Sequence, residues 1–187
     1  VAGKNKAVFV DRDGTLIHER HYLSRVKDIR LFSCAVPALK KLRDAGFKII
    51  MVTNQSGIGR GYLTEKKLLQ IHVHLNKLLS AAGVPLDGVY YCPHHPDVAC
   101  GCRKPKLGMV EQARKRFSID LKRSFTIGDH AADVKLGQAM GGGAIFVLTG
   151  HGREEYPKLT AKGAKPDHVA KNILAAARYI TAHGGSE

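Results

Sequence analysis

Five short apolar runs punctuate the first 150 residues: "AVFV" at 7–10, "KIIMVT" at 48–53, "GVYYC" at 88–92, "SFTIG" at 124–128 and "AIFVLTG" at 144–150. They are largely continuous rather than alternating, the pattern of strands buried on both faces of a parallel sheet. Helical patterns separate them. "VPALKKLRDAG" (36–46) and "TEKKLLQIHVHLNKLLSAAG" (64–83) each end in a glycine suited to a helix C-terminus. Leu68, Ile71, Leu75, Leu78 and Ala82 mark one face of the second. "GMVEQARKRF" (108–117), "AADVKLGQAMG" (131–141) and "HVAKNILAAARYI" (168–180) continue the series. Strands alternating with helices predict an α/β fold with a Rossmann-like, doubly wound parallel sheet. The polar stretch 150–167 reads as a surface connection, so residues 1–187 are expected to form a single domain.

The formal charge of +14 excludes little but invites anions. Lysines and arginines are scattered, with no long basic block and no aromatic interleaving, so a dedicated nucleic-acid surface is not expected. No apolar run approaches the roughly 20 residues of a membrane span, and the N-terminus does not read as a signal peptide. The expectation is a soluble cytoplasmic protein, monomeric and without membrane partners.

Each strand is followed by chemically loaded residues: "DRDGT" after the first, "TNQSG" after the second, "CPHHPDVACGC" after the third and "GDHAAD" after the fourth. Ligands of open α/β sheets bind beyond the carboxyl ends of the strands, where all four segments land. In the first, Asp11 and Asp13 lie two residues apart, a strand spacing that aims both to one side. An EF-hand counted from Asp11 fails, because Leu16 and Tyr22 occupy the positions of its glycine and glutamate.

Asp-x-Asp-Gly-Thr after an apolar strand resembles the first motif of the haloacid dehalogenase (HAD) superfamily, whose members are mostly phosphohydrolases. Thr53, Lys104 and the pair Asp129 and Asp133 match its second, third and fourth motifs in order. The resemblance implies an Mg²⁺-dependent phosphatase in which Asp11 attacks phosphorus and forms an aspartyl-phosphate. Asp13 would protonate the leaving alcohol and then activate water, which calls for a raised pKa where carboxylates crowd. The Asp11 and Asp129 carboxylates and the main-chain oxygen of Asp13 would hold Mg²⁺. Thr53 and Lys104 would bind the phosphoryl oxygens, and Asp133 would orient Lys104 or metal-bound water.

The third segment places Cys92, His94, Cys100 and Cys102 in the spacing C-x-H-x5-C-x-C, a closed ligand set for structural Zn²⁺ within a loop at about 92–103. His95 is the alternative histidine. A disulfide between Cys100 and Cys102 would be strained, and C-x-x-C is absent. Cys34 reads as a small buried hydrophobe, and His72 and His74 as surface or partly buried residues.

A zinc loop ahead of "CRKP" resembles a narrower group, the heptose bisphosphate and histidinol-phosphate phosphatases, which lack a large cap domain. That resemblance implies substrate contacts at Glu19, Arg20, His21 and Tyr22, at Thr53, Asn54, Gln55 and Ser56, and at Arg103, Lys104 and His130. His130 stands where the heptose enzymes commonly carry lysine, and "ERH" at 19–21 departs from their usual residues. "VTNQSGIGRGYLTE" favours the heptose branch. The implied reaction removes the 7-phosphate of D-glycero-D-manno-heptose 1,7-bisphosphate in nucleotide-activated heptose synthesis for lipopolysaccharide core or a surface glycan. Histidinol phosphate is the alternative substrate. A silent, zinc-stabilised nucleic-acid-binding module is the alternative of another class.

Overall fold

A computed structural model describes residues 5–184. Its strands are β1 (Lys6–Val10), β2 (Phe47–Asn54), β3 (Gly88–Cys92), β4 (Phe125–Gly128), β5 (Gly143–Val147) and β6 (His168–Ala170). The helices are α1 (Ala35–Asp44), α2 (Glu65–Ala81), α3 (Gly108–Phe117), α4 (Ala131–Met140), the single turn α5 (Gly152–Glu155) and α6 (Ile173–His183). All six strands pair in parallel, in the order β3-β2-β1-β4-β5-β6. The chain winds outward from β1 to β3, then returns to β4 on the other side of β1. The resulting switch point opens a crevice beyond the carboxyl ends of β1 and β4.

Side-chain alternation divides the central strands between two cores. Val8, Val10, Ile49 and Met51 pack with α1, α2 and α6, while Ala7, Phe9, Ile50 and Val52 pack with α3 and α4. Each buried large aliphatic side chain contributes roughly 1.5–3 kcal/mol by leaving water. Burial on both faces is why these strands read as continuous apolar runs.

Several boundaries differ from the sequence expectation. The helix expected over 168–180 is divided: His168–Ala170 pair as β6 with Ile145–Val147, and the helix begins at Ile173. Asn172 makes the break, its side chain accepting from the Ala175 N–H at 3.0 Å. A three-residue strand has too little periodicity to be told from a helical start, and its pairing with β5 decides the matter. β5 itself ends at Val147, short of 150, and the connection 150–167 contains α5.

In α2 the buried stripe is Leu68, Ile71, His72, Leu75 and Leu79; Leu78 is exposed and Ala82 is the C-cap. His72, expected at or near the surface, is therefore a core residue, while His74 and Cys34 are half-buried. Between β1 and α1, and between β2 and α2, the chain forms only turns, isolated bridges and one 3₁₀ turn at Val26–Asp28. Neither connection holds a cap domain. Among the described residues no helix is long and apolar enough to cross a membrane.

Because Asn172 supplies the cap of a helix that buries Ile173, Ala176, Ala177 and Ile180, Asn172→Ala is expected to cost about 1 kcal/mol of stability. Thermal or urea unfolding measures it.

Candidate active site

The Asp11 N–H donates to the Ile127 carbonyl at 2.9 Å, so its backbone is still held between β1 and β4 as its side chain enters the crevice. The crevice is an open cleft of about 280 Å³. It is lined by Asp11, Asp13, Thr53, Lys104, Asp129 and Asp133, and by Glu19–Tyr22, Asn54–Ser56, Arg103 and His130. The structure thus brings every sequence-predicted catalytic and substrate-contact residue to one place. Arg12 and His151 also line it and were not foreseen.

Lys104 occupies the base. Its ammonium donates to Asp11 Oδ1 at 2.7 Å, to Asp133 Oδ1 at 2.6 Å and to the Val52 carbonyl at 3.0 Å, which uses all three protons. The Lys104 peptide is gripped by Asn54, which accepts from its N–H at 3.0 Å and donates to its carbonyl at 3.3 Å. Asp133 is fully engaged, because its Oδ2 accepts the His130 N–H at 3.2 Å. His130 caps α4: its Nδ1 accepts the Ala132 N–H at 3.2 Å, which leaves the ring proton on Nε2.

Asp13 is held differently. Arg12 forks onto it, with Nε donating to Oδ2 and Nη2 to Oδ1, both at 3.0 Å. Gln55 Nε2 donates to Asp13 Oδ2 at 2.9 Å and to Thr53 Oγ1 at 2.8 Å. The Thr53 hydroxyl proton is left to point at a ligand. Asp129 Oδ2 accepts the His151 N–H at 2.8 Å, so His151 contributes through its main chain. Gly14 and Gly150 press on the Asp129 carboxylate, both at positive φ, and a β-carbon on either would strike it.

Charge accounts for the titration behaviour. Burial pushes the Asp11 carboxyl up to about 7, with Asp133 and Asp13 adding to it and Lys104 opposing. Burial likewise pushes Asp129 up to about 8, reinforced by Asp11 and Asp133. Burial works against the Lys104 charge, but Asp11 and Asp133 outweigh it and hold its pKa above the ordinary lysine value. Three buried carboxylates, Asp11, Asp129 and Asp133, thus face one ammonium. Their oxygens lie within 4.8 Å of one another, a hard-oxygen cluster with excess negative charge that fits a divalent cation such as Mg²⁺.

The Cys92, His94, Cys100 and Cys102 donor atoms form a second cluster within 4.8 Å. Cys92 Sγ and Cys102 Sγ lie 3.7 and 3.8 Å from Cys100 Sγ, and 3.5 and 3.3 Å from His94 Nδ1. A tetrahedron with metal–sulfur bonds of about 2.3 Å has sulfur–sulfur edges of roughly 3.8 Å, so the set fits Zn²⁺. The loop is tied to the cleft, because Gln55 N–H donates to the Cys92 carbonyl at 2.8 Å and Gly59 N–H to the Pro93 carbonyl at 2.9 Å.

Residues 101–176, which include Lys104, Asp129 and Asp133, match the HAD-hydrolase-like family profile. A D-glycero-alpha-D-manno-heptose-1,7-bisphosphate 7-phosphatase of Photorhabdus laumondii is 41% identical over 81% of this chain and 87% of its own length. A D-glycero-beta-D-manno-heptose-1,7-bisphosphate 7-phosphatase of Haemophilus ducreyi is 39% identical over 90% of this chain and 94% of its own. The chain belongs to the heptose-bisphosphate phosphatase family of HAD-like hydrolases. The fold agrees. A D,D-heptose 1,7-bisphosphate phosphatase of B. bronchiseptica, crystallised with magnesium and phosphate, superimposes with a TM-score of 0.83 at 29% identity, covering 94% of this chain and 97% of that one.

A carboxyl whose pKa is raised on folding contributes most stability below the ordinary carboxylate range and loses it as pH rises through the folded value. For Asp129 the loss falls between about 4 and about 8. In EDTA, Asp129→Asn is therefore expected to melt above the parent at pH 8, with the gap closing toward pH 4. Calorimetry across that range checks it.

Proposed function

We propose that this chain hydrolyses the 7-phosphate of D-glycero-D-manno-heptose 1,7-bisphosphate in nucleotide-activated heptose synthesis. The observation that carries the reading is the Lys104 ammonium bridging Asp11 and Asp133 at the foot of a cleft whose rim is polar and cationic. The relatives' names supply the sugar, and they include both anomers. All described strands share one sheet, which supports reading the chain as one phosphatase domain with a zinc loop.

Lys104 binds Asp11 through Oδ1, which leaves Oδ2 to attack phosphorus. Thr53 donates its free hydroxyl proton to a phosphoryl oxygen, and Lys104 shares its charge with another. The phosphorus–oxygen bond to the sugar breaks as Asp13 delivers a proton to the leaving oxygen. Asp13, now a carboxylate, takes a proton from the water that attacks the aspartyl-phosphate and frees Asp11. Asp11, Asp129 and the Asp13 main-chain oxygen would hold Mg²⁺, which when bound offsets the negative charge shared by nucleophile and phosphate. Arg103 has a buried Nη1 with no partner, a donor suited to a sugar oxygen or the second phosphate.

The Cys/His cluster is read as a structural Zn²⁺ clip. Arg103 joins it to the cleft: its backbone N–H is the main cause of a Cys100 thiol pKa lowered to about 6, and its side chain lines the site. Cys102→Ser is expected to lower turnover by displacing Arg103 and Lys104, together with loss of bound zinc by metal analysis. Unchanged kinetics in zinc-free protein would count against the clip.

The substrate test compares heptose 1,7-bisphosphate with histidinol phosphate under identical Mg²⁺, by phosphate release. Preference for the heptose is expected, with activity abolished in Asp11→Asn. Preference for histidinol phosphate, or an active Asp11→Asn protein, would overturn the reading.

A further inference from the structure

Arg12 separates the two aspartates of the first motif, yet it is 1% exposed. A guanidinium stays charged and only donates, so each of its faces needs an acceptor when buried. Asp13 takes Nε and one side of Nη2, and Gln55 Oε1 accepts from Nη2 at 2.9 Å. The remaining nitrogen, Nη1, turns away from the cleft and meets His72 Nε2 at 3.1 Å. Because Arg12 cannot accept, His72 Nε2 must, and its ring is neutral with the proton on Nδ1.

His72 comes from the buried stripe of α2, among leucines and isoleucine, with the Tyr91 ring packed edge-on at 5.6 Å. Its Nδ1 has no partner, and burial followed by the Arg12 charge pushes its pKa down to about 3. A leucine here would avoid an unsatisfied buried donor, which costs about 1–3 kcal/mol. What leucine lacks is an acceptor. A histidine that cannot protonate, in a stripe otherwise aliphatic, is explained by the guanidinium it faces.

We propose that His72 is a positioning residue for the reaction. Its Nε2 anchors the far end of Arg12, so that the fork holds the Asp13 carboxyl at the leaving oxygen and Gln55 keeps Asp13 in register with Thr53. The inference rests on the assignment of Asp13 as the proton donor. Without the acceptor, Arg12 retains its charge but loses its fixed end, and Asp13 loses aim rather than chemistry.

The leaving group separates this role from general support of the fold. His72→Leu is expected to lower kcat on heptose 1,7-bisphosphate about tenfold with KM within about twofold, since misplacing a proton donor slows chemistry more than binding. The burst of p-nitrophenol from p-nitrophenyl phosphate should stay within about twofold of wild type, because that leaving group departs without a proton. His72→Gln, which can place an amide oxygen where Nε2 sits, should recover most of the loss. A folded His72→Leu protein with unchanged kcat, an equal slowing of the burst, or a Gln variant as impaired as Leu would each overturn the proposal. If His72→Leu fails to fold, His72→Met fills the space without a strong acceptor and takes its place. Wild-type inactivity on the heptose would refute the substrate assignment instead, and the same comparison would then be made on histidinol phosphate, also an alkyl ester.

Discussion

The Lys104 ammonium is the interaction on which the rest of the molecule converges. It joins Asp11 at the end of β1, the Val52 carbonyl of β2 and Asp133 in the first turn of α4, from a loop that itself leads into α3. A buried ion pair is a poor source of stability, since desolvation offsets most of its attraction, and losing one partner leaves an uncompensated charge. Its value is positional. One cation can satisfy these acceptors only when two strands and a helix present them together, so the site and the sheet's switch point assemble as one.

A lysine at the end of a loop needs that loop held. Asn54 grips the Lys104 peptide from β2, and the Cys/His cluster closes the loop two residues earlier. Backbone bonds from Gln55 and Gly59 fasten the same loop to the segment following β2. The Cys/His cluster and the residues at the foot of the cleft are thus two ends of one mechanical unit. On the opposite side, Gly14 and Gly150 close on Asp129, and Thr149 Oγ1 bonds the Gly14 carbonyl at 2.6 Å. The acids are crowded by construction, and that crowding raises Asp11 and Asp129 far above ordinary carboxyls.

Two aspartates in one motif consequently meet opposite surroundings. Asp11 shares a single ammonium with its acidic neighbours, whereas Asp13 has a guanidinium fork of its own. Burial among acidic neighbours raises the Asp11 and Asp129 carboxyls. Asn54 and Gln55, anticipated as substrate contacts, both line the cleft and also brace Lys104, Asp13 and Thr53.

Five of the six strands, and the residues at their carboxyl edge, were legible in the sequence. Strands buried on both faces leave continuous apolar runs, and the residues just beyond them are fixed to the carboxyl edge by chain direction alone. That Asp11, Thr53, Lys104 and Asp129 meet in one cleft was legible for that reason, as was the grouping of Cys92, His94, Cys100 and Cys102, whose spacing is local. Tertiary structure decided what depends on distant partners. The buried Arg12 meets His72 across 60 positions, besides Asp13 and Gln55, and Lys104 meets Asp11 across 93. The edge strand β6 exists because β5 offers it hydrogen bonds, and Leu79 rather than Leu78 is the residue of α2 that joins the buried cluster. A linear pattern records what each residue prefers; which neighbour satisfies it is settled when the sheet closes its layers.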